Sequence, residues 1–221
     1  MEANVNTQKV GGEKPSLLGM ITSPGVQFER MKSSNAVWGA FWLMAILTGV
    51  AFMLATYAYS LTPEGIKEAA KTDIEVPLSW TLGMGFVLGF IGAIIGYFVG
   101  AAVYKVLMML MGNDTSYKKL LAITVYVSII TVLGLIVNYI LALVLGGTGK
   151  EMYTGLGPVF ASTGGLAHGI ASNIEVFTIW GFVLSWLGLQ IAADLSKKKA
   201  TILIIIFAIL TIGFGALRGM F

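Results

Sequence analysis

Apolar residues in this chain fall into five long runs separated by short polar segments. A helix that crosses a hydrocarbon layer of about 30 Å needs about 20 apolar residues. The pattern therefore predicts five transmembrane helices and an all-α integral membrane protein. The predicted spans lie at residues 37–61, 78–104, 120–145, 174–193 and 200–216. The second apolar run continues to Met111, so its helix is expected to tilt or to extend beyond the bilayer.

Positive charges divide unevenly between the segments that flank these spans. Ten of the fourteen Lys and Arg residues lie before span one, between spans two and three, or between spans four and five. Because such residues are retained on the cytoplasmic side, we expect the amino terminus inside and the carboxyl terminus outside. Residues 1–36 then form a cytoplasmic tail, and residues 37–221 form the membrane domain.

Composition agrees with this assignment and limits the function classes. The chain is 57% hydrophobic and 11% charged, with a mean hydropathy of +0.85, whereas soluble domains carry about 25% charged residues. The segments outside the spans are shorter than the roughly 40 residues that an unaided soluble domain needs. A nucleotide-binding domain is therefore excluded, and we expect membrane lipids, but no nucleic acid, among the partners.

Catalytic and metal-binding chemistry finds little support. The chain has no cysteine and one histidine, His168, whereas a zinc site usually needs three or more protein ligands. Ser162 lies outside any nucleophile-elbow sequence, and no acidic residue falls in the interior of a span. We expect no catalytic residue, no cofactor and no metal. An intramembrane enzyme is the least favoured reading.

Glycines repeat along one stripe of the second span, at Gly85, Gly89, Gly92, Gly96 and Gly100. Small residues let the backbones of two membrane helices approach closely. Internal helix packing is the first interpretation of this stripe, and a seam between copies of the chain is the alternative. Under internal packing, Gly92→Leu or Gly96→Leu should disrupt folding.

Asn138 is the strongly polar residue near the middle of span three, and a buried amide needs a partner. An interhelical hydrogen bond is the first interpretation, and the lining of a substrate path is the second. The segment 146–173, with eight glycines, contains an apolar stretch at 158–170 that is too short to span. It is expected to be re-entrant or to lie on the membrane surface.

The tail sequence Ser23-Pro24 is typical of a helix start. We expect a short helix carrying Val26, Phe28 and Met31 at the cytoplasmic interface, with Arg30 near anionic head groups. This helix is either a simple anchor or a docking element for a partner.

The tail segment SLLGMITSPGVQFERMK, the five spans and the block NIEVFTIWGFVLSWLGLQIAADLSKKKA together resemble the Yip family, particularly its bacterial branch. Within that block, Glu175 stands where many members would have Asp. Glu175 would also complement the positive end of the dipole of its helix. The resemblance implies no known catalysis. We take five positions as candidate partner contacts: Pro24, Phe28, Arg30, Glu175 and Trp180.

The resemblance further implies an accessory subunit of an ABC-type efflux system that protects against a peptide toxin. Its partners would be a permease, an ATPase and a membrane fusion protein. Association with further copies of the same chain is a second possibility. The alternative is an autonomous small channel or carrier that uses the glycine-lined second span and Asn138.

Overall fold

The computed structural model describes residues 13–34, 36–71 and 76–220, with side chains placed as far as Leu217. The first twelve residues of the predicted tail, and Asp73 and Glu75 of the loop after span one, lie outside this range. Within it the chain forms ten helices. They are α1 (Leu17–Thr22), α2 (Pro24–Ser33), α3 (Trp38–Ser60), α4 (Pro63–Ala69), α5 (Leu78–Leu110), α6 (Tyr117–Leu145), α7 (Gly157–Phe160), α8 (Gly165–Ala171), α9 (Val176–Ile191) and α10 (Lys197–Met220).

Five of these helices correspond to the predicted spans. Four, namely α3, α5, α6 and α10, are long and apolar enough to cross a membrane. The fifth, α9, has 16 residues and is shorter. The apolar run past Tyr104 does remain helical, since α5 continues to Leu110.

Helix α6 is the centre of the bundle. It begins at Ser116, whose hydroxyl accepts a hydrogen bond from the Lys119 N–H, and it ends at Gly146, which adopts the left-handed conformation that closes a helix. Helices α3, α5 and α9 all pack against α6, and more than half of its most apolar stretch is buried. By contrast, α5 and α10 are buried over only 17% and 11% of theirs.

The polar connections gather at two opposite ends of the bundle. We call one the tail face; it holds α1, α2 and the turns 111–116 and 192–196. The two turns are joined by hydrogen bonds from Asn113 and Thr115 to the Ala193 carbonyl. We call the other the loop face; it holds α4 and the segment 146–175, which are joined by the ion pair between Lys150 and Glu64 at 2.7 Å. These two ends determine where the candidate sites lie.

Candidate functional site: a lateral cavity and two polar ends

The glycine stripe of α5 has two parts with different surroundings. At Gly89, an added Cβ would lie 2.6 Å from the Cβ of Phe52 on α3, and at Gly85 it would meet the hydroxyl of Thr56. Carbon atoms normally pack at about 3.5–4.0 Å. Glycine is therefore required at these two positions, where α3 and α5 approach closely, as internal packing predicts.

Gly92 and Gly96 do not pack against another helix. An added Cβ would meet nothing within 4 Å at either position, and at Gly100 it would make an ordinary contact of 3.4 Å with Thr124. Internal packing is therefore wrong for Gly92 and Gly96. The reason is that α3 contacts α5 at the Gly85 and Gly89 end, whereas the stripe farther along faces open space.

This open space is a cavity of about 660 Å³ lined by α3, α5, α6, α9 and α10, which we call the lateral cavity. Gly92 and Gly96 on α5 and Thr131 on α6 are exposed beside it. At the end nearer the tail face, the rings of Tyr104 and Phe207 stack with their centroids 4.5 Å apart and bring α5 and α10 together. The cavity is thus a pocket open to the side of the bundle.

The lining of the lateral cavity contains hydroxyls but no charged side chain. The hydroxyl residues are Thr48, Tyr97, Tyr104, Thr124, Ser128, Thr131, Thr178, Ser185 and Thr211. Most of the threonine and serine hydroxyls already donate within the protein. Their acceptors are the carbonyls of Met44, Leu120, Val125 and Phe207, and the carboxylate of Glu175. Most of the hydroxyls that line the cavity therefore already have hydrogen-bond acceptors within the protein.

Asn138 is fully buried, and its partner is not a neighbouring helix. Its Oδ1 accepts from the Thr154 backbone N–H at 2.9 Å, and its Nδ2 donates to the Gly134 carbonyl at 2.8 Å and to the Thr154 hydroxyl at 2.9 Å. The predicted interhelical bond is replaced by a bond between α6 and the loop segment. Asn138 does not line the lateral cavity.

Glu175 completes this network. Its Oε1 accepts from the Thr154 hydroxyl at 2.5 Å, and its Oε2 accepts from the Thr178 backbone N–H at 2.7 Å. Glu175 is 5% exposed and is the N-cap of α9, so the predicted role at the helix dipole fits its position. Asn138, Thr154 and Glu175, which we call the loop-face network, fasten α6, the loop and α9 together.

His168 has a partner that the sequence did not indicate. Its Nε2 lies 2.8 Å from Oε1 of Glu151, and the other oxygen of Glu151 is buried without a hydrogen bond. The two residues are 17 positions apart in a segment without helical periodicity, so no spacing signal links them. The stretch 158–170 forms parts of α7 and α8, and α8 packs against α10. Among the described residues, no group of three or more His, Asp or Glu could hold a metal ion.

At the tail face, α1 and α2 form a hairpin that is built into the bundle. Phe28 is fully buried, and its ring occupies the space beside Gly188 of α9 and Ile123 of α6. The Tyr126 hydroxyl donates to the Pro15 carbonyl at 3.1 Å, and the Lys119 ammonium donates to the Met31 carbonyl at 2.7 Å. We call residues 15–33 the tail hairpin.

These contacts change the interpretation of the candidate partner residues. Phe28 and Glu175 are buried, so they hold the fold together and do not offer a surface to a partner. Arg30 is paired with Glu13 and is mostly covered. Pro24 is the first residue of α2 and is half-buried. Trp180 is also half-buried and stacks on Phe177.

Comparison with known proteins places this chain among membrane proteins. The chain is 35% identical to membrane protein YknW of Bacillus subtilis over 218 residues, which cover 96% of this chain and 94% of that protein. No solved structure matches it. The apolar helices and the similarity to a Bacillus membrane protein together indicate a multi-pass bacterial membrane protein. Residues 18–217, from within the tail hairpin into the last turn of α10, match the Yip1 domain. The chain therefore belongs to the Yip1 domain family of integral membrane proteins.

Proposed function

We propose that this protein is a non-catalytic accessory subunit that helps to assemble an ABC-type efflux system protecting against a peptide toxin. The proposal starts from the match to the Yip1 domain and from the 35% identity to membrane protein YknW of Bacillus subtilis. The proposal includes five membrane crossings, a cytoplasmic tail and an extracytoplasmic carboxyl terminus, as the distribution of Lys and Arg favours. Such a chain acts by binding and arranging a permease, an ATPase and a membrane fusion protein.

The observation that carries the proposal is the tail hairpin. Its buried side is fixed by Phe28 and Lys119, so its outer side is preorganised, and a preorganised surface binds with a smaller loss of conformational entropy. Leu18 and Val26 are 74% and 45% exposed on that outer side. We infer that these two side chains form the part of the hairpin that contacts a partner.

Copurification from native membranes tests this role. After crosslinking, the wild-type chain should recover the permease, the ATPase and the fusion protein. Leu18→Asp and Val26→Asp should reduce recovery, because each places a charge on the proposed contact without touching the core. Ile66→Asp on α4 is the matched control, since Ile66 is 60% exposed at the loop face. Recovery of no ABC subunit by the wild-type chain, or equal losses in all three variants, would contradict the proposal.

An autonomous channel or carrier is the second candidate, and the lateral cavity favours it. A volume of about 660 Å³ lies within the range of roughly 300–1,000 Å³ that is typical of small-molecule pockets. Flux of a small amphipathic solute into liposomes that contain the purified chain alone would support this reading. Flux that appears only with ABC subunits present would support the accessory role.

A further inference from the structure

We propose that the lateral cavity binds the acyl chain of a bilayer phospholipid as an integral part of the fold. The proposal concerns a site that the accessory role does not use, and it does not depend on that role. Three features of the cavity support it: its length, its position and the chemistry of its wall.

The length of the cavity suits an acyl chain. Its lining runs from Gly89 to Tyr104 on α5 and from Thr124 to Leu135 on α6, which at 1.5 Å per residue is about 16–22 Å. The cavity has a volume of about 660 Å³ along this length. A hydrocarbon chain fits, since its carbons pack at about 4 Å from their neighbours.

The position of the cavity gives a lipid access to it. Gly92, Gly96 and Thr131 are exposed on helices that span the membrane, so the mouth opens sideways toward lipid tails. The Tyr104–Phe207 stack closes the end nearer the tail face. The length of about 16–22 Å is comparable to one leaflet, which is half of a core of about 30 Å. A chain can therefore enter from the bilayer and lie along α5.

The wall is suited to an occupant without polar groups. Thr48, Thr124 and Thr211 donate to carbonyls one turn earlier on their own helices, and Thr178 donates to Glu175. A buried hydroxyl whose hydrogen bond is already made can face hydrocarbon without the cost of an unsatisfied donor. No charged side chain lines the cavity, so nothing there requires an ionic ligand. A neutral chain is thus the complementary occupant.

Cavity-filling variants test the site without disturbing the packing of the bundle. The double variant Gly92→Leu/Gly96→Leu adds side chains where an added Cβ meets nothing within 4 Å. The matched control is Gly39→Leu/Gly213→Leu, because these glycines are equally unobstructed and lie outside the cavity. Circular dichroism and thermal unfolding are used to check that both proteins fold. Gly96→Ala is a milder variant for the same measurement.

The readout is photolabelling in phosphatidylglycerol and phosphatidylethanolamine vesicles that contain a phospholipid with a photoactivatable acyl chain. In the wild-type chain and the control, peptide mapping should place label on α5, α6 and α9 at the cavity wall. The cavity-filled variant should lose this label about tenfold, equivalent to about 1.4 kcal/mol, and should keep label on its outer surface.

Three results would overturn the proposal: label confined to the outer surface of the wild-type chain, equal cavity label in the filled variant, or crosslinks from Gly96 to another polypeptide in native membranes. The last result would instead assign the cavity to a second copy or another subunit. None of these results depends on recovery of ABC subunits, so the accessory role is tested separately.

Discussion

The two parts of the glycine stripe should respond differently to the same substitution. Gly89→Ala places a methyl group 2.6 Å from the Cβ and 2.8 Å from the Cγ of Phe52, whereas Gly96→Ala places it in open space. Because normal carbon contacts are about 3.5–4.0 Å, Gly89→Ala requires α3 and α5 to separate by about 1 Å, or Phe52 to leave its position. Both changes remove one glycine from the same helix.

Because both variants replace a glycine of α5 by alanine, the difference in stability between them reports the contact with Phe52. Replacing glycine by alanine within a helix favours the helix by about 1 kcal/mol at either position, and that gain cancels in the comparison. Overpacking in a well-packed interior costs about 1–3 kcal/mol. The free energy of unfolding of Gly89→Ala should therefore be lower than that of Gly96→Ala by about 1–3 kcal/mol, which is about fivefold to more than hundredfold in the unfolding equilibrium constant.

Unfolding of the purified proteins in mixed micelles with increasing sodium dodecyl sulfate, followed by tryptophan fluorescence and circular dichroism, measures this difference. Gly85→Ala should behave like Gly89→Ala, because its added methyl group would meet Thr56. Equal unfolding midpoints for Gly89→Ala and Gly96→Ala would refute the reasoning. So would a less stable Gly96→Ala, because that result would mean that Gly96 is packed.

Three further substitutions test the polar ends of the bundle. Asn138→Leu should lower the free energy of unfolding by about 1–3 kcal/mol, because the Thr154 N–H loses its acceptor. Unfolding in mixed micelles measures this change. An unchanged free energy of unfolding would contradict the loop-face network. Phe28→Ala should cost about 3–5 kcal/mol and expose the tail hairpin to limited proteolysis, whereas exposed Val26→Ala should do neither. Lys119→Met should accelerate proteolytic cleavage of the same hairpin, because the Met31 and Lys32 carbonyls lose their donor. Cleavage at the wild-type rate would show that the Lys119 ammonium does not hold the end of α2 in place.

Apolar run length was sufficient to place the membrane helices. The predicted spans at 37–61 and 78–104 begin within a residue of α3 and α5, because any long charge-free run must become helical in lipid. Their ends were less certain, and α5 extends six residues past Tyr104. The tail helix was also found at Pro24, since proline favours the first turn of a helix.

What packs against each helix could not be read from the sequence. Helical periodicity places all five glycines on one stripe, but it does not say that α3 covers Gly89 and leaves Gly96 open. Phe28 was expected on a short helix at the cytoplasmic interface, yet Gly188 on α9 makes space to bury it. These facts depend on contacts between residues far apart in the chain.

The sequence did not reveal the hydrogen-bond partners of the polar side chains, because these partners also lie far away along the chain. Asn138 and Glu175 were each noticed, but Thr154, the residue that joins them, lies in a glycine-rich segment with no periodic pattern. The pairing of His168 with Glu151 has the same origin.

The central claim of this account is that α9 crosses the membrane and so separates the loop face from the tail face. Helix α9 has 16 residues, or about 24 Å at 1.5 Å per residue, against a hydrocarbon core of about 30 Å. Because the chain has no cysteine, Ser162→Cys and Ser196→Cys each introduce a unique thiol at an exposed position on either side of α9. A membrane-impermeant maleimide should label Ser162→Cys in intact cells and Ser196→Cys only after permeabilisation. Labelling of both thiols in intact cells, or of neither, would contradict the account.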